Sequence, residues 1–175
     1  RDKLQLARLL LEKAKIQNVK VVLPVDHIVA GEFSFDAQSL KATTKKFPKG
    51  GIGMDIGPTT VRHFTHYIER AKTVLWNGPL GVAEFHKFAK GTNEVAKALA
   101  ESKAFTIVGG GDSIKCIEQL GLQNKINHIS TGGGASLKLL ESLGFTKEGL
   151  LRQYELCREE LIDITIWSLL RTDLK

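Results

Sequence analysis

Three times between residues 72 and 134 a short apolar run ends at glycine and leads into an amphipathic segment. The runs are KTVLWN (72–77) before Gly78-Pro79, FTIVGG (105–110) before Gly111, and INHIST (126–131) before Gly132-Gly133-Gly134. A short, continuous apolar run suits a strand covered on both faces, as in parallel sheets. The segments that follow predict helices over 91–102, 112–120 and 134–143. Strand and helix alternating in this way indicate an α/β fold with helices on both faces of a mostly parallel sheet. The first part of the chain extends the pattern. DKLQLARLLLEKAK places Leu4, Ala7, Leu11 and Ala14 on one helical face, as if the chain opened inside a helix. VKVVLP (19–24) and GIGMDI (51–56) read as strands, and a helix is predicted from Pro58 to about Arg70. Residues 31–50 read as a polar loop or short hairpin, and no internal repeat is present.

Open parallel sheets bind ligands beyond the carboxyl ends of their strands, so the glycine-rich ends should converge on one edge. In Gly109-Gly110-Gly111-Asp112-Ser113, glycines let backbone N–H groups approach an anion with no Cβ in the way. The helix behind them offers unpaired N–H groups and partial positive charge. Asp112 either caps that helix or holds a metal ion on a phosphate. A Walker A loop requires Gly-Lys-Ser/Thr where Gly111-Asp112-Ser113 stands. A dinucleotide fingerprint requires an acid after the next strand, where Thr131 and further glycines stand, which disfavours a nicotinamide-dependent dehydrogenase. Thr131-Gly132-Gly133-Gly134 repeats the same device, giving a second contact on a polyanion or on a group whose charge grows during reaction.

The loop WNGPLGVAE (76–84) holds Asn77, Gly78, Pro79 and Glu84. Asn77 suits bracing of the loop. Glu84 is a solvated charge, a first-turn acid, or a partner for ribose hydroxyls. Asp26 and Asp55 read as loop or cap residues. The five histidines form no ligand cluster; His128 reads as a core histidine and Trp76 as a packing residue.

The 25 lysines and arginines outnumber the 19 acids, for a net charge of +6. That balance fits a solvated surface or attraction to phosphorylated small molecules. It does not point to nucleic acid, because no basic run or interleaved aromatic stripe appears. Cys116 and Cys157 lack metal-like spacing and read as reduced structural thiols. No apolar run reaches spanning length. No secretory segment opens the chain, so a soluble, cytoplasmic protein without membrane partners is expected.

The stretches DKLQLARLLLEKAK, VVLPVDHIVA, GIGMDIGPTT, TVLWNGPLGVAEF, FAKGTNEVAKALAE, FTIVGGGDSIK and HISTGGGASLKLLE together resemble the phosphoglycerate kinase family, in its order and spacing, over residues 1 to about 143. The resemblance is to the nucleotide-binding C-terminal domain, incomplete at its start. It implies a three-layer Rossmann-like fold and a place in glycolysis. The implied reaction is phosphoryl transfer between 1,3-bisphosphoglycerate and MgADP, giving 3-phosphoglycerate and MgATP. By motif position, Glu84 resembles the ribose-binding acid, and Asn77, Gly78 and Pro79 the loop along the phosphate chain. Gly109, Gly110, Gly111, Asp112 and Ser113 resemble the stretch on the nucleotide phosphates, with Asp112 on magnesium. Thr131, Gly132, Gly133 and Gly134 resemble the helix entrance facing the transferring group. Gly111, Gly132 and Gly133 are accordingly the expected catalytic positions.

The sequence departs from the family in three ways. The family's N-terminal, glycerate-binding domain and the first motifs of its nucleotide domain have no counterpart in these 175 residues. The expected consequence is a chain that does not turn over alone, acting on 3-phosphoglycerate or 1,3-bisphosphoglycerate only together with that domain. The alternative is a non-catalytic relative serving as a nucleotide-binding or scaffold module. Gly51 replaces a family tryptophan, and Thr60 stands where lysine is common. Finally, GFTKEGLLRQYELCREELIDITIWSLLRTDLK (144–175) replaces the family's usual short ending. The spacing of Leu150, Leu151, Tyr154 and Leu161 predicts a helical tail there, separate from a domain over 1–143 and capable of self-association.

Overall fold

The computed structural model describes residues 4–130, 146–157 and 160–168. The chain divides into two compact units, one of Lys20–Thr131 and one of Arg1–Val19 with Gly132–Lys175. Among the described residues no helix is long and apolar enough to cross a membrane.

Helix α1 (Leu4–Ile16) forms where the apolar spacing predicts it, with Lys13 and Lys15 in its last turn, where cations suit the helix dipole. None of its residues is buried. Residues 19–24, read as a strand, carry no strand pairing, and Val19, Val21 and Leu23 are exposed. A strand exists only where a neighbour supplies ladder partners, and no described segment does so here.

Strand β1 (Asp26–Ala30) instead begins beyond Pro24 and lies at the centre of an antiparallel sheet between β2 (Ser39–Thr43) and β3 (Ile52–Ile56). The region read as a loop or hairpin is thus the β1–β2 hairpin, with Ile28 opposite Lys41 and Val29 opposite Leu40. GIGMDI is a strand as expected, but it pairs antiparallel with β1, with a register shift between Ile28 and Val29. Helix α2 (Pro58–Arg70) follows, with proline in its first turn where no N–H is needed.

The parallel part is a sheet of β4 (Thr73–Asn77), β5 (Phe105–Gly109) and β6 (His128–Ser130), in the order β4-β5-β6. Helices α3 (Lys90–Glu101) and α4 (Gly111–Gln119) make the crossovers. The protein is therefore an α/β fold whose parallel sheet is flanked by helices. Trp76, Ala96, Leu99, Val108, Ile114, Cys116, Ile117 and Ile126 form the main core. Ala30, Ala37, Met54 and Phe88 form a second cluster against the antiparallel sheet. The helix predicted over 134–143 and the expected domain limit at residue 143 lie outside the described residues.

The tail differs from its expected helical form. Residues Thr146–Cys157 (β7) and Glu160–Ser168 (β8) pair antiparallel, with Leu150 opposite Thr165 and Cys157 opposite Glu160. Ile162, Ile164 and Ile166 recur at period two among Thr165 and Trp167, a pattern of β-branched and aromatic residues that favours a strand. The helical spacing of Leu150, Leu151 and Tyr154 is weaker than that alternation.

Candidate functional site

The parallel register sets Asn77 beside Gly109, so the carboxyl ends of β4 and β5 are flush. Beyond them Gly78 and Gly110 turn with φ of +94° and +86°, a left-handed conformation that favours glycine. A Cβ on Gly110 would stand 2.5 Å from Asn77 Oδ1, so the two turns interlock. Gly78 N–H donates to Ser113 Oγ at 2.7 Å, and Trp76 Nε1–H donates to the Gly78 carbonyl, also at 2.7 Å. Ser113 is fully buried, so its side chain braces the neighbouring turn while its backbone belongs to the first turn of α4. Asn77 lies at the loop's exposed edge.

Helix α4 starts at Gly111, whose Cβ position is open space, and its N-cap Gly110 supplies no side-chain acceptor. Among the described residues nothing accepts from the N–H groups of Gly111, Asp112 or Ser113. Asp112 lies in the first turn and not at the cap, its carboxylate 71 % exposed and 3.1 Å from Lys115 Nζ. Among the described residues no group of three or more acids, histidines or cysteines could hold a metal ion. A magnesium ion riding on phosphates needs less, because it keeps waters and takes one or two carboxylates. Exposed Asp112 at an anion-ready helix start fits that demand.

Glu84 is exposed in the loop after β4. Glu84 and Asp112 both act electrostatically on the buried Cys116 thiol. Burial raises that thiol's pKa, both carboxylates raise it further, and Lys115 opposes them. Asn77, Gly78, Pro79, Gly109, Gly110, Gly111, Asp112 and Ser113 thus come together at one sheet edge, with Glu84 in the adjoining loop. Thr131, Gly132, Gly133 and Gly134 lie outside the described residues.

Two aspartates of the antiparallel sheet close the starts of other helices. Asp26 accepts the Thr59 N–H at 2.9 Å and the Thr60 N–H at 2.7 Å, closing the start of α2 as a cap. Burial opposes its ionisation, but the hydrogen bonds from Thr60 and Thr59 prevail and lower its pKa to about 2. Thr60, where the family often has lysine, is fully buried and accepts the Val25 and Asp26 N–H groups at 3.0 and 3.1 Å. Asp55 departs from the loop reading. It is a buried residue of β3, 4 % exposed, and accepts the Gly91 N–H at the start of α3 at 2.7 Å. Burial raises its pKa to about 6 against the hydrogen bonds from Gly91 and Ile56. Nothing local in the sequence marks this role: the room for the carboxylate comes from Gly81 and Gly91, which meet it only in the fold. At Gly51 an added Cβ would meet Val29 Cγ1 at 2.7 Å, so the family's tryptophan has no place without a shift.

The family model described as phosphoglycerate kinase matches residues 1–142. A phosphoglycerate kinase of Clostridium tetani is 53 % identical over 130 residues, which are 74 % of this chain and 32 % of that protein. A relative from Triticum aestivum named "Phosphoglycerate kinase, cytosolic" is 50 % identical over 133 residues, 74 % of this chain and 33 % of the relative. The solved phosphoglycerate kinase of Coxiella burnetii superposes with a TM-score of 0.76 at 38 % identity, over 81 % of this chain and 37 % of that one. The chain therefore spans about a third of the length of the relatives it matches. This protein belongs to the phosphoglycerate kinase family.

Proposed function

We propose that the chain is the nucleotide-binding part of a phosphoglycerate kinase, in the reversible transfer of a phosphoryl group from 1,3-bisphosphoglycerate to MgADP, yielding 3-phosphoglycerate and MgATP. The observation that carries this reading is the open start of α4, where left-handed Gly110 lies against the Asn77–Gly78 turn and side-chain-free Gly111 opens the helix next to an exposed Asp112. The first-turn N–H groups of Gly111, Asp112 and Ser113 bind the nucleotide phosphates, while Gly109 and Gly110 keep the approach clear. Asp112 orients the magnesium, which when bound neutralises charge on the phosphate oxygens. Asn77, Gly78 and Pro79 line the phosphate chain, and Glu84 accepts from ribose hydroxyls. Thr131, Gly132 and Gly133 present donors to the transferring group, with Gly111 sharing that role. Phosphoryl transfer rests on positioning and charge stabilisation, for which backbone donors suffice.

The glycerate substrate is bound by the family's preceding domain, so the 175 residues alone bind nucleotide without turnover. The relative named as cytosolic supports a cytoplasmic location. The β7–β8 ribbon is a surface for self-association, since a two-stranded sheet has two edges to cover.

Calorimetric titration of MgADP tests the central claim. Saturable heat is expected, with Asp112→Ala weakening it about tenfold, roughly 1.4 kcal/mol, and far less so in EDTA. No binding by the parent would overturn the reading. The alternative is a non-catalytic nucleotide-binding or scaffold module. Turnover restored by adding the family's N-terminal domain in a coupled assay would exclude it.

A further inference from the structure

The loop between β4 and α3 carries Pro79 and Glu84, and its course depends on a carboxylate from the other sheet. Asp55 lies on β3 opposite Ile28 of β1 and is almost wholly buried. Its Oδ2 accepts the Gly91 N–H at 2.7 Å, and its Oδ1 accepts the Ile56 N–H at 2.8 Å. The loop closes around it without side chains. A Cβ on Gly81 would stand 2.4 Å from Oδ1, and one on Gly91 2.5 Å from the same atom. Two further bonds hold the same stretch, from Val82 N–H to the Met54 carbonyl at 2.8 Å and from Leu80 N–H to Thr92 Oγ1 at 3.0 Å. A buried polar group is costly unless it is satisfied, so a carboxylate kept at this place implies that its acceptors are needed there.

We propose that Asp55 is a positioning residue for the nucleotide loop: wedged between Gly81 and Gly91, its carboxylate ties residues 78–91 to the antiparallel sheet and so places Pro79 and Glu84. The placement of ligand-contacting residues rests on the function proposed above, whereas the grip on the loop does not. The groups facing the carboxylate are the Ile56 N–H of its own strand, the Gly91 N–H at the start of α3 and the Gly81 backbone. No charged side chain contributes to its titration. An asparagine at 55 keeps one acceptor but turns an NH2 toward one of the two N–H donors, which then loses its partner.

The test compares the 175-residue chain with Asp55→Asn by amide hydrogen exchange and MgADP titration. Exchange at residues 80–91 is expected to rise at least tenfold while β5 and α4 keep the parent's rates, and the MgADP Kd is expected to rise about tenfold. Unchanged loop exchange, or a uniform rise across the domain as from simple destabilisation, would overturn the proposal. If the parent binds no MgADP, the nucleotide reading fails, and the exchange pattern still decides whether Asp55 holds the loop. The parent alone provides a check that does not depend on the variant folding. Its Gly91 amide proton resonance should titrate with a midpoint near the raised pKa of Asp55, and a resonance flat with pH would refute the hydrogen bond.

Discussion

The starts of α2 and α3 differ from the start of α4. Asp26 fills the first with two hydrogen bonds, and Asp55 fills the second through Gly91. Both acids come from the antiparallel sheet, and each accepts from the start of the helix it joins. The start of α4 has no acceptor among the described residues, and its acid, Asp112, points into solvent beside Lys115. Helix N-termini attract anions whatever the source. Where the protein supplies its own carboxylate the helix is fastened to the fold, and where it withholds one the same field stays open.

The largest expected effect comes from emptying a closed entrance. Asp26→Ala removes the side-chain acceptor of the Thr59 and Thr60 N–H groups at the start of α2, while the buried Thr60 hydroxyl keeps the Asp26 carbonyl, for a loss of about 3 kcal/mol of unfolding free energy in urea. Asp112→Ala should change stability by less than about 0.5 kcal/mol. Equal losses for the two variants would erase the distinction between fastened and open entrances.

The pH dependence sharpens the comparison, because the two fastening acids act with opposite signs. The Asp55 pKa is raised from 3.8 to about 6, so the folded state binds the extra proton between those values. Its contribution is most favourable below pH 4 and falls as pH rises through about 6, by up to about 3 kcal/mol. The Asp26 pKa is lowered from 3.8 to about 2, so its contribution is present above pH 4 and is lost as pH falls through about 2. Solvent screening reduces that second contribution to about 1–2 kcal/mol. Chemical denaturation from pH 3 to 7 should show the Asp55 slope in the parent and none in Asp55→Asn. A slope that survives in the variant would assign it to another group.

Gly110→Ala comes next. Alanine at φ +86° is strained, and its Cβ meets Asn77 Oδ1, so a loss of about 1–2 kcal/mol is expected together with weakened MgADP binding. Gly111→Ala, with open space around its Cβ, should be nearly neutral for stability and still weaken binding if phosphate passes close to it. Lys115→Ala removes an exposed ion pair and should cost a few tenths of a kcal/mol, roughly the value of such a surface pair. A large effect there would mean that Lys115 holds Asp112 in its working position.

Much of the arrangement of the candidate site was legible before the fold was. The strand, glycine and helix succession at 72–78, 105–111 and 58–70 is local, and local periodicity with φ-permissive residues encodes it directly. Asp55 was not legible in its buried role, because the room left by Gly81 and Gly91 appears only once residues far apart in sequence meet. Ser113 was legible as part of the glycine-rich turn but not as the brace of Gly78, for the same reason. The apolar run at 19–24 and the helical spacing near 150 misled, since composition does not report whether a segment finds a partner.

By itself, the sequence determined the positions of α1 through α4, the strands of the parallel sheet, the glycine-rich turns and the family, all of which depend on local backbone preference or on motif order. The tertiary structure alone decided that β3 runs antiparallel to β1, that Thr146–Cys157 and Glu160–Ser168 pair as strands, and that Asp26 and Asp55 bond within the fold while Asp112 is left outside. Those outcomes depend on hydrogen-bond partners and burial between distant segments, and neither is a property of a residue or its neighbours in sequence.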